Sequence, residues 1–175
     1  MMMRLPFISL LLALLATGLL AGFFYAYTSS VSPGLGDLDD AGYIAAMQSI
    51  NDAVPNGVFV LSFVGSPLLL VVATVLHARA HSPRLPALAL ATGLVVAGGL
   101  LVTFLASVPL NDELATVDPN AAASVLADAR ADYEDAWNAW NTVRTVACAA
   151  ALGCLALALH QPARGRPGPR YVDAD

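Results

Sequence analysis

The sequence predicts an all-α integral membrane protein, a four-helix bundle with two outer loops that contain helical segments. Three observations predict it. Apolar residues make up 58% of the chain and charged residues only 12%, roughly half the charge of a soluble domain. The apolar residues gather into four runs, Leu5–Tyr27, Val58–Leu76, Leu85–Val108 and Val143–Leu159, each near the roughly 20 residues that cross a bilayer as a helix. The charges on either side of those runs are of opposite sign.

The chain has no lysine and eight arginines. Arg4, Arg79, Arg84, Arg164, Arg166 and Arg170 fall on one side if all four runs cross. The other side holds Asp37, Asp39, Asp40 and Asp52 in the first loop. Its second loop adds Asp112, Glu113, Asp118, Asp128, Asp132, Glu134 and Asp135 against Arg130 alone. Arginine excess marks the cytoplasmic face, so the expectation is a multi-pass protein of the cell membrane with both termini cytoplasmic and acidic loops outside. The few basic residues give no footprint for nucleic acid.

Taken in order, the first span covers about residues 5–27. It is longer than a secretory signal and leaves the bilayer on "GFFYAY", aromatic rather than small, which suits a retained interfacial anchor. In the first loop, Pro33, Gly34 and Gly36 predict a turn. Asp37 or Asp39 caps a helix running to about Ala53 and ended by Pro55. Tyr43, Met47, Ile50 and Val54 recur at helical spacing, an amphipathic face lying on the bundle's mouth or on the membrane interface.

The second and third spans, about 58–76 and 85–108, are joined by the short "HARAHSPRLP" and are antiparallel neighbours. Gly18, Gly22, Gly93, Gly98 and Gly99 mark faces where helices approach closely. The pair Asp118–Pro119 reads as a cap and first turn. From there to Leu159 stretches one helix of about 40 residues, near 60 Å at ~1.5 Å per residue, whose second half, about 141–160, is the fourth span. One domain thus covers 1–160. The tail 161–175, rich in Pro, Gly and Arg, is a disordered cytoplasmic segment.

Cys148 and Cys154, six apart on one helix, point apart and read as small apolar residues. His77 and His81 have a spacing that can hold metal. They lie with His160 on the arginine side and lack the glutamate of a zinc hydrolase pattern, so they read as solvent-side histidines and no metal is expected.

The polar residues that carry chemistry lie at the other end. In "YEDAWNAWNTVRT", Trp137, Asn141 and Arg144 are spaced four and three apart and share one helix face. Tyr133 and Trp140 share nearly the same face. An ionisable residue inside a span marks a functional site, and an arginine on the acidic side runs against the charge bias. Gln48, Asn51, Asn56, Asn111, Asp112 and Tyr25 stand at the same depth. If these groups converge, they form one pocket, apolar below and hydrogen-bonding above, fit for a flat lipophilic molecule bearing a carbonyl or phenol.

Four pieces, "GFFYAYTSSVSPGL", "YIAAMQSIN", "PLN" at 109–111 and "WNAWNTVRT", occur in an order that resembles the anthrone oxygenase-like family of four-span membrane proteins. The resemblance extends from Gly22 to Thr145. It implies addition of molecular oxygen to an aromatic, polyketide-type substrate without metal, flavin or other cofactor. In that reading Arg144 holds an enolate oxygen with Asn141 and Asn111, and Asp112 is the nearest carboxylate to serve as base. Trp137, Trp140, Asn51, Asn56, Gln48 and Tyr25 bind the substrate. Many relatives carry methionine where Ser32 stands and histidine where Thr142 stands. If that histidine is the base in relatives, this chain lacks it. The competing reading is a non-catalytic membrane protein that binds a small molecule or a partner, which the missing base favours.

Overall fold

The computed structural model describes residues 4–161, and these residues are helical almost throughout. Helix α1 (Arg4–Ala26) continues through a π-helical turn, Tyr27–Val31, into the short α2 (Ser32–Gly36). Helix α3 (Asp40–Ala53) crosses the acidic end, α4 (Gly57–Arg79) returns, and α5 (Leu85–Leu94) runs back. Two π-helical stretches, Val95–Leu101 and Thr103–Ser107, carry α5 on into α6 (Val108–Leu114), and α7 (Ala123–His160) completes the chain. Four continuous helical stretches, Leu5–Gly36, Gly57–Arg79, Leu85–Leu114 and Ala123–His160, are long and apolar enough to cross a membrane.

The four pack as a ring, with α1 against α4 and α7, and α5 against α4 and α7. Small residues let the axes approach. Ala13, Ala73, Ala91, Ala151 and Cys148 are fully buried among Leu10, Leu70, Leu88 and Leu155. The large aliphatics face outward: Leu19 is 70% and Leu105 75% exposed. In water such a surface would drive aggregation; in lipid it is the solvent-facing side. Three polar contacts lie within this apolar zone. Thr17 and Ser66 hydroxyls meet at 3.0 Å, Thr74 and Thr92 at 2.9 Å, and His77 Nδ1 donates to the Ala73 carbonyl at 2.8 Å. His77 is therefore buried in the bundle rather than facing solvent as its sequence position suggested.

Several expectations shift. The first span does not turn at Pro33–Gly36; helix persists to Gly36, and the break comes at Asp37–Asp39. Pro33 sits in the first turn of α2, where its missing N–H costs least, and the π turn before it lets Ser32 N–H bond to the Tyr27 carbonyl. The same arrangement recurs at Pro109, where the Val108 N–H bonds to the Thr103 carbonyl after the π turn Thr103–Ser107. The last helix starts at Ala123, not at Pro119. Asp118 instead closes a turn, accepting from Asn120 N at 2.9 Å. Its 38 residues still span about 57 Å at ~1.5 Å each, without interruption. The expectation of a disordered tail falls on residues outside those described.

Helix α3 begins where the aspartates predict it: Asp39 accepts from Gly42 N at 2.8 Å. Its apolar face lies on the bundle's mouth, not on the membrane interface. Tyr43, Ile44 and Met47 are buried against Leu114, Leu126, Tyr133 and Trp137. This second core caps the acidic end.

Candidate functional site

Helix α7 enters its apolar run with one polar stripe turned inward. Tyr133, Trp137, Asn141, Arg144 and Cys148 repeat at four, four, three and four residues, and all are buried. Arg144 is only 5% exposed. Its Nη2 donates back one turn to Asn141 Oδ1 at 3.2 Å, and Nη1 to Thr103 Oγ1 at 3.4 Å. The guanidinium carbon stands 4.7 Å from the Phe24 ring centre and 5.1 Å from that of Trp137. Among the described residues no carboxylate pairs with it, since both ion pairs belong to Arg130. Aromatic faces and oxygen dipoles therefore compensate this charge. The Arg144 Nε, the Trp137 Nε1 and the Ser107 hydroxyl are buried without a hydrogen-bond partner.

Asn141 ties α7 to the first helical stretch at this level. Its Nδ2 donates to the Phe24 carbonyl at 3.1 Å and to Thr28 Oγ1 at 3.0 Å. Thr28 lies in the first of the three π-helical stretches and Thr103 in the third, so these two deliver hydroxyls to the stripe. Such turns often accompany functional sites.

Tyr133 connects this buried cluster to the open mouth. Its ring stacks on Trp137 at 6.4 Å. Its hydroxyl donates to Asn111 Oδ1 at 2.8 Å and accepts from Asn51 Nδ2 at 3.4 Å. Beyond it a cleft of about 410 Å³ is lined by Gln48, Asn51, Asp52, Val108, Asn111 and Asp112, among others. A second cleft of about 320 Å³ lies between α1–α2 and α7. Thr28, Ser32, Asn138, Thr142, Asn141 and Glu134 line it with Pro33 and Gly36. Asn141 and its partner Thr28 join this cleft to the Arg144 cluster. The two positions where the sequence departs from the resemblance, Ser32 and Thr142, both line it.

The single pocket expected from sequence is thus two clefts and a buried cluster. Trp137, Asn141 and Arg144 come together. Gln48, Asn51, Asn111 and Asp112 also come together, but in the other cleft, and Arg144 lines neither. Three residues stand apart from both. Trp140 is 42% and Tyr25 61% exposed on the outside of the bundle; a three-residue step on a helix turns about 60° short of a full circle, which takes Trp140 off the buried stripe. Asn56 is the N-cap of α4, accepting from Val58 N and Phe59 N at 3.0 and 3.1 Å. Sequence reasoning missed Thr28 and Thr103, and of the two tyrosines that close the first span it chose Tyr25. Tyr27, not Tyr25, is buried, its ring 5.2 Å from Trp137. A hydroxyl just past "GFFYAY" and one inside an apolar span were the available signals.

Above the clefts Arg130 fastens the first loop to α7. Its Nε donates to Glu134 Oε2 at 2.7 Å and Nη1 to Asp40 Oδ1 at 3.2 Å. Nη1 and Nη2 also reach the carbonyls of Leu38 and Gly36 at 2.8 and 3.0 Å. The group lies 4.6 Å over the Tyr43 ring. Burial, reinforced by the Glu134 carboxylate, raises the Tyr43 phenol above its ordinary pKa, against a smaller opposing pull from Arg130.

Fold and site together define a four-span membrane bundle with a buried cation beneath a helical cap. The family model for anthrone oxygenase matches residues 58–154, more than half of the chain, and the chain belongs to that family. No curated protein and no solved structure matches it.

Proposed function

We propose that this protein is a cofactor-independent monooxygenase of the cell membrane, acting on a lipophilic aromatic ketone of the polyketide type. In this reading both termini are cytoplasmic and the clefts open outward. Molecular oxygen has no easy reaction with a closed-shell ketone. The substrate must first lose a proton from a carbon activated by its carbonyl. The resulting carbanion then gives an electron to oxygen, the radical pair combines and takes up a proton to give a hydroperoxide, and loss of water from it leaves a new carbonyl on the substrate. The protein's task is to hold the developing enolate.

The observation that carries the proposal is the Arg144–Asn141 pair, buried at the floor of the cleft between α1–α2 and α7, in a chain of the anthrone oxygenase family. Arg144 polarises the Asn141 amide from behind and supplies positive potential in a dry surrounding, where charge acts over longer range. Trp137 and Phe24 keep that charge in place. The cleft begins where the apolar run of α7 begins, so a substrate dissolved in the outer leaflet reaches it without crossing water.

The test is oxygen uptake by the purified protein in detergent with anthrone. Wild type consumes oxygen above the buffer rate, and Arg144→Ala abolishes the excess. Unchanged turnover in the variant rejects this site.

One observation favours the non-catalytic reading: both amide hydrogens of Asn141 are already bonded within the protein. Saturable anthrone binding without oxygen uptake would establish that alternative.

A further inference from the structure

The sequence offers no evident base close to Arg144, and Asp112 lies in the other cleft. A different carboxylate lines the cleft that Asn141 floors. Glu134 is seven residues before Asn141 and so returns to the same side of α7 after two turns. Its side chain is 23% exposed. Arg130 Nε takes only one of its oxygens, Oε2, at 2.7 Å. Arg130 is itself held by Asp40 and by the Gly36 and Leu38 carbonyls, so Glu134 is fixed rather than free to rotate. The other oxygen, Oε1, faces the Gly36 wall. A Cβ built on Gly36 would stand 3.6 Å from it. Gly36 has no side chain to cover it, and among the described residues no hydrogen bond reaches Oε1.

The remaining polar groups of the cleft complement a carbonyl. Among the described residues, neither the Asn138 side-chain amide nor the Ser32 hydroxyl makes a hydrogen bond, and both line the cleft. Asn138 lies one turn from Glu134 toward Asn141. A carboxylate and a free amide, one turn apart on α7, thus line the cleft that Asn141 floors.

We infer that Glu134 is the general base of this cleft, and that its substrates are carbon acids: aromatic ketones with a C–H bond activated by the carbonyl. This rests on the oxygenase reading for its place in a reaction but not for its chemistry. In the step itself the substrate C–H bond breaks and the proton passes to Oε1. The electron pair moves into the carbonyl to give an enolate, whose oxygen accepts from Asn138 Nδ2 and Ser32 Oγ. No oxidant takes part.

Proton transfer is measured without oxygen. Anthrone is incubated anaerobically in deuterated buffer with the purified protein, and loss of the methylene proton signal is followed by NMR. Wild type accelerates exchange over buffer. Glu134→Gln lowers that acceleration at least about a hundredfold, the usual worth of a positioned base, whereas Glu134→Asp retains part of it. Asp40→Asn, which loosens Arg130 but keeps the carboxylate, retains exchange. Should Glu134→Gln fail to give the wild-type thermal transition, Gly36→Leu decides: it keeps the carboxylate and fills the space beside Oε1, and exchange falls with it. Exchange at the wild-type rate in Glu134→Gln or, where that variant does not fold, in Gly36→Leu overturns the assignment, as does absence of exchange in wild type. Exchange by wild type with no oxygen uptake in air sustains Glu134 and sinks the oxygenase reading. Oxygen uptake surviving in Glu134→Gln does the reverse.

Discussion

Arg144 reaches back along its own helix to donate to Asn141 Oδ1 at 3.2 Å, while Asn141 spends both amide hydrogens on α1 and the π turn that follows it. A cation on one span is thereby coupled through an amide to the π turn of another. This pair joins the packing of the bundle to its chemistry, since the same Asn141 floors a cleft.

Asn141→Ala removes two donors and one acceptor from a fully buried position and strips Arg144 of one of its bonds. It is expected to cost about 2–3 kcal/mol, because the groups left behind are desolvated and one is charged. By contrast, Thr17→Val deletes a neutral interhelical bond and costs about 0.6 kcal/mol, typical of such bonds in membranes. Unfolding in mixed micelles, followed by circular dichroism, ranks the two; equal costs would contradict the role given to Asn141.

Glycine spacing makes a sharper prediction. A methyl group at Gly98 would collide with the Ala147 methyl, whereas nothing lies within 4 Å of one at Gly93. Gly98→Ala is expected to destabilise by about 1–3 kcal/mol, as overpacking does. Gly93→Ala is expected to be neutral or slightly stabilising. Thermal transitions of the two variants in the same detergent check this.

Arg130 should govern the cap rather than the bundle. Arg130→Lys loses the planar group that serves Glu134, Asp40 and two carbonyls at once. Amide hydrogen exchange is expected to accelerate across α3 and the preceding turn, consistent with a local loss of about 1–2 kcal/mol, with little change in α4 or α5. Protection unchanged in α3 would show that apolar packing alone holds the cap.

The Tyr43 phenol gives a pH dependence. Its folded-state pKa is raised by burial first and the neighbouring carboxylates second. A raised pKa means that the folded state keeps the proton longer than the unfolded one. Its contribution is whole below the unfolded value of about 10 and is lost as pH rises beyond that toward the folded value. Thermal stability of the wild type is expected to fall above about pH 10, and more shallowly in Tyr43→Phe. Identical alkaline limbs would exclude Tyr43 from that loss.

Much of this was legible in the residues. Four apolar runs gave four spans, because hydrocarbon thickness sets helix length and an unpaired backbone is intolerable there. A cap at Asp37 or Asp39 followed from the aspartates ahead of the helix, and the buried face of Tyr43 and Met47 and the inward stripe of Trp137, Asn141 and Arg144 from periodicity. Trp140 did not obey, because a shift of one position on a helix swings a side chain through about 100°. Prolines misled at Pro33, where the π turn before it carries the helix on, and beside Asp118, which closes a turn instead of opening α7. The division of the polar residues into two clefts was beyond sequence altogether. It depends on how α2 and α6 extend past the membrane and on the single hydroxyl of Tyr133 between Asn111 and Asn51. Glu134 went unremarked because an i, i+4 pair with Arg130 has the appearance of an ordinary solvated ion pair.

The central claim is that chemistry occurs in the cleft above Asn141 and Arg144. It is tested most directly by a structure of the protein with anthrone bound. The account predicts the ring system between α1–α2 and α7, its carbonyl toward Asn138 and Ser32 and its activated methylene beside Glu134. Anthrone seated instead among Gln48, Asn51, Asn111 and Asp112, with the Asn141 cleft empty, would contradict it.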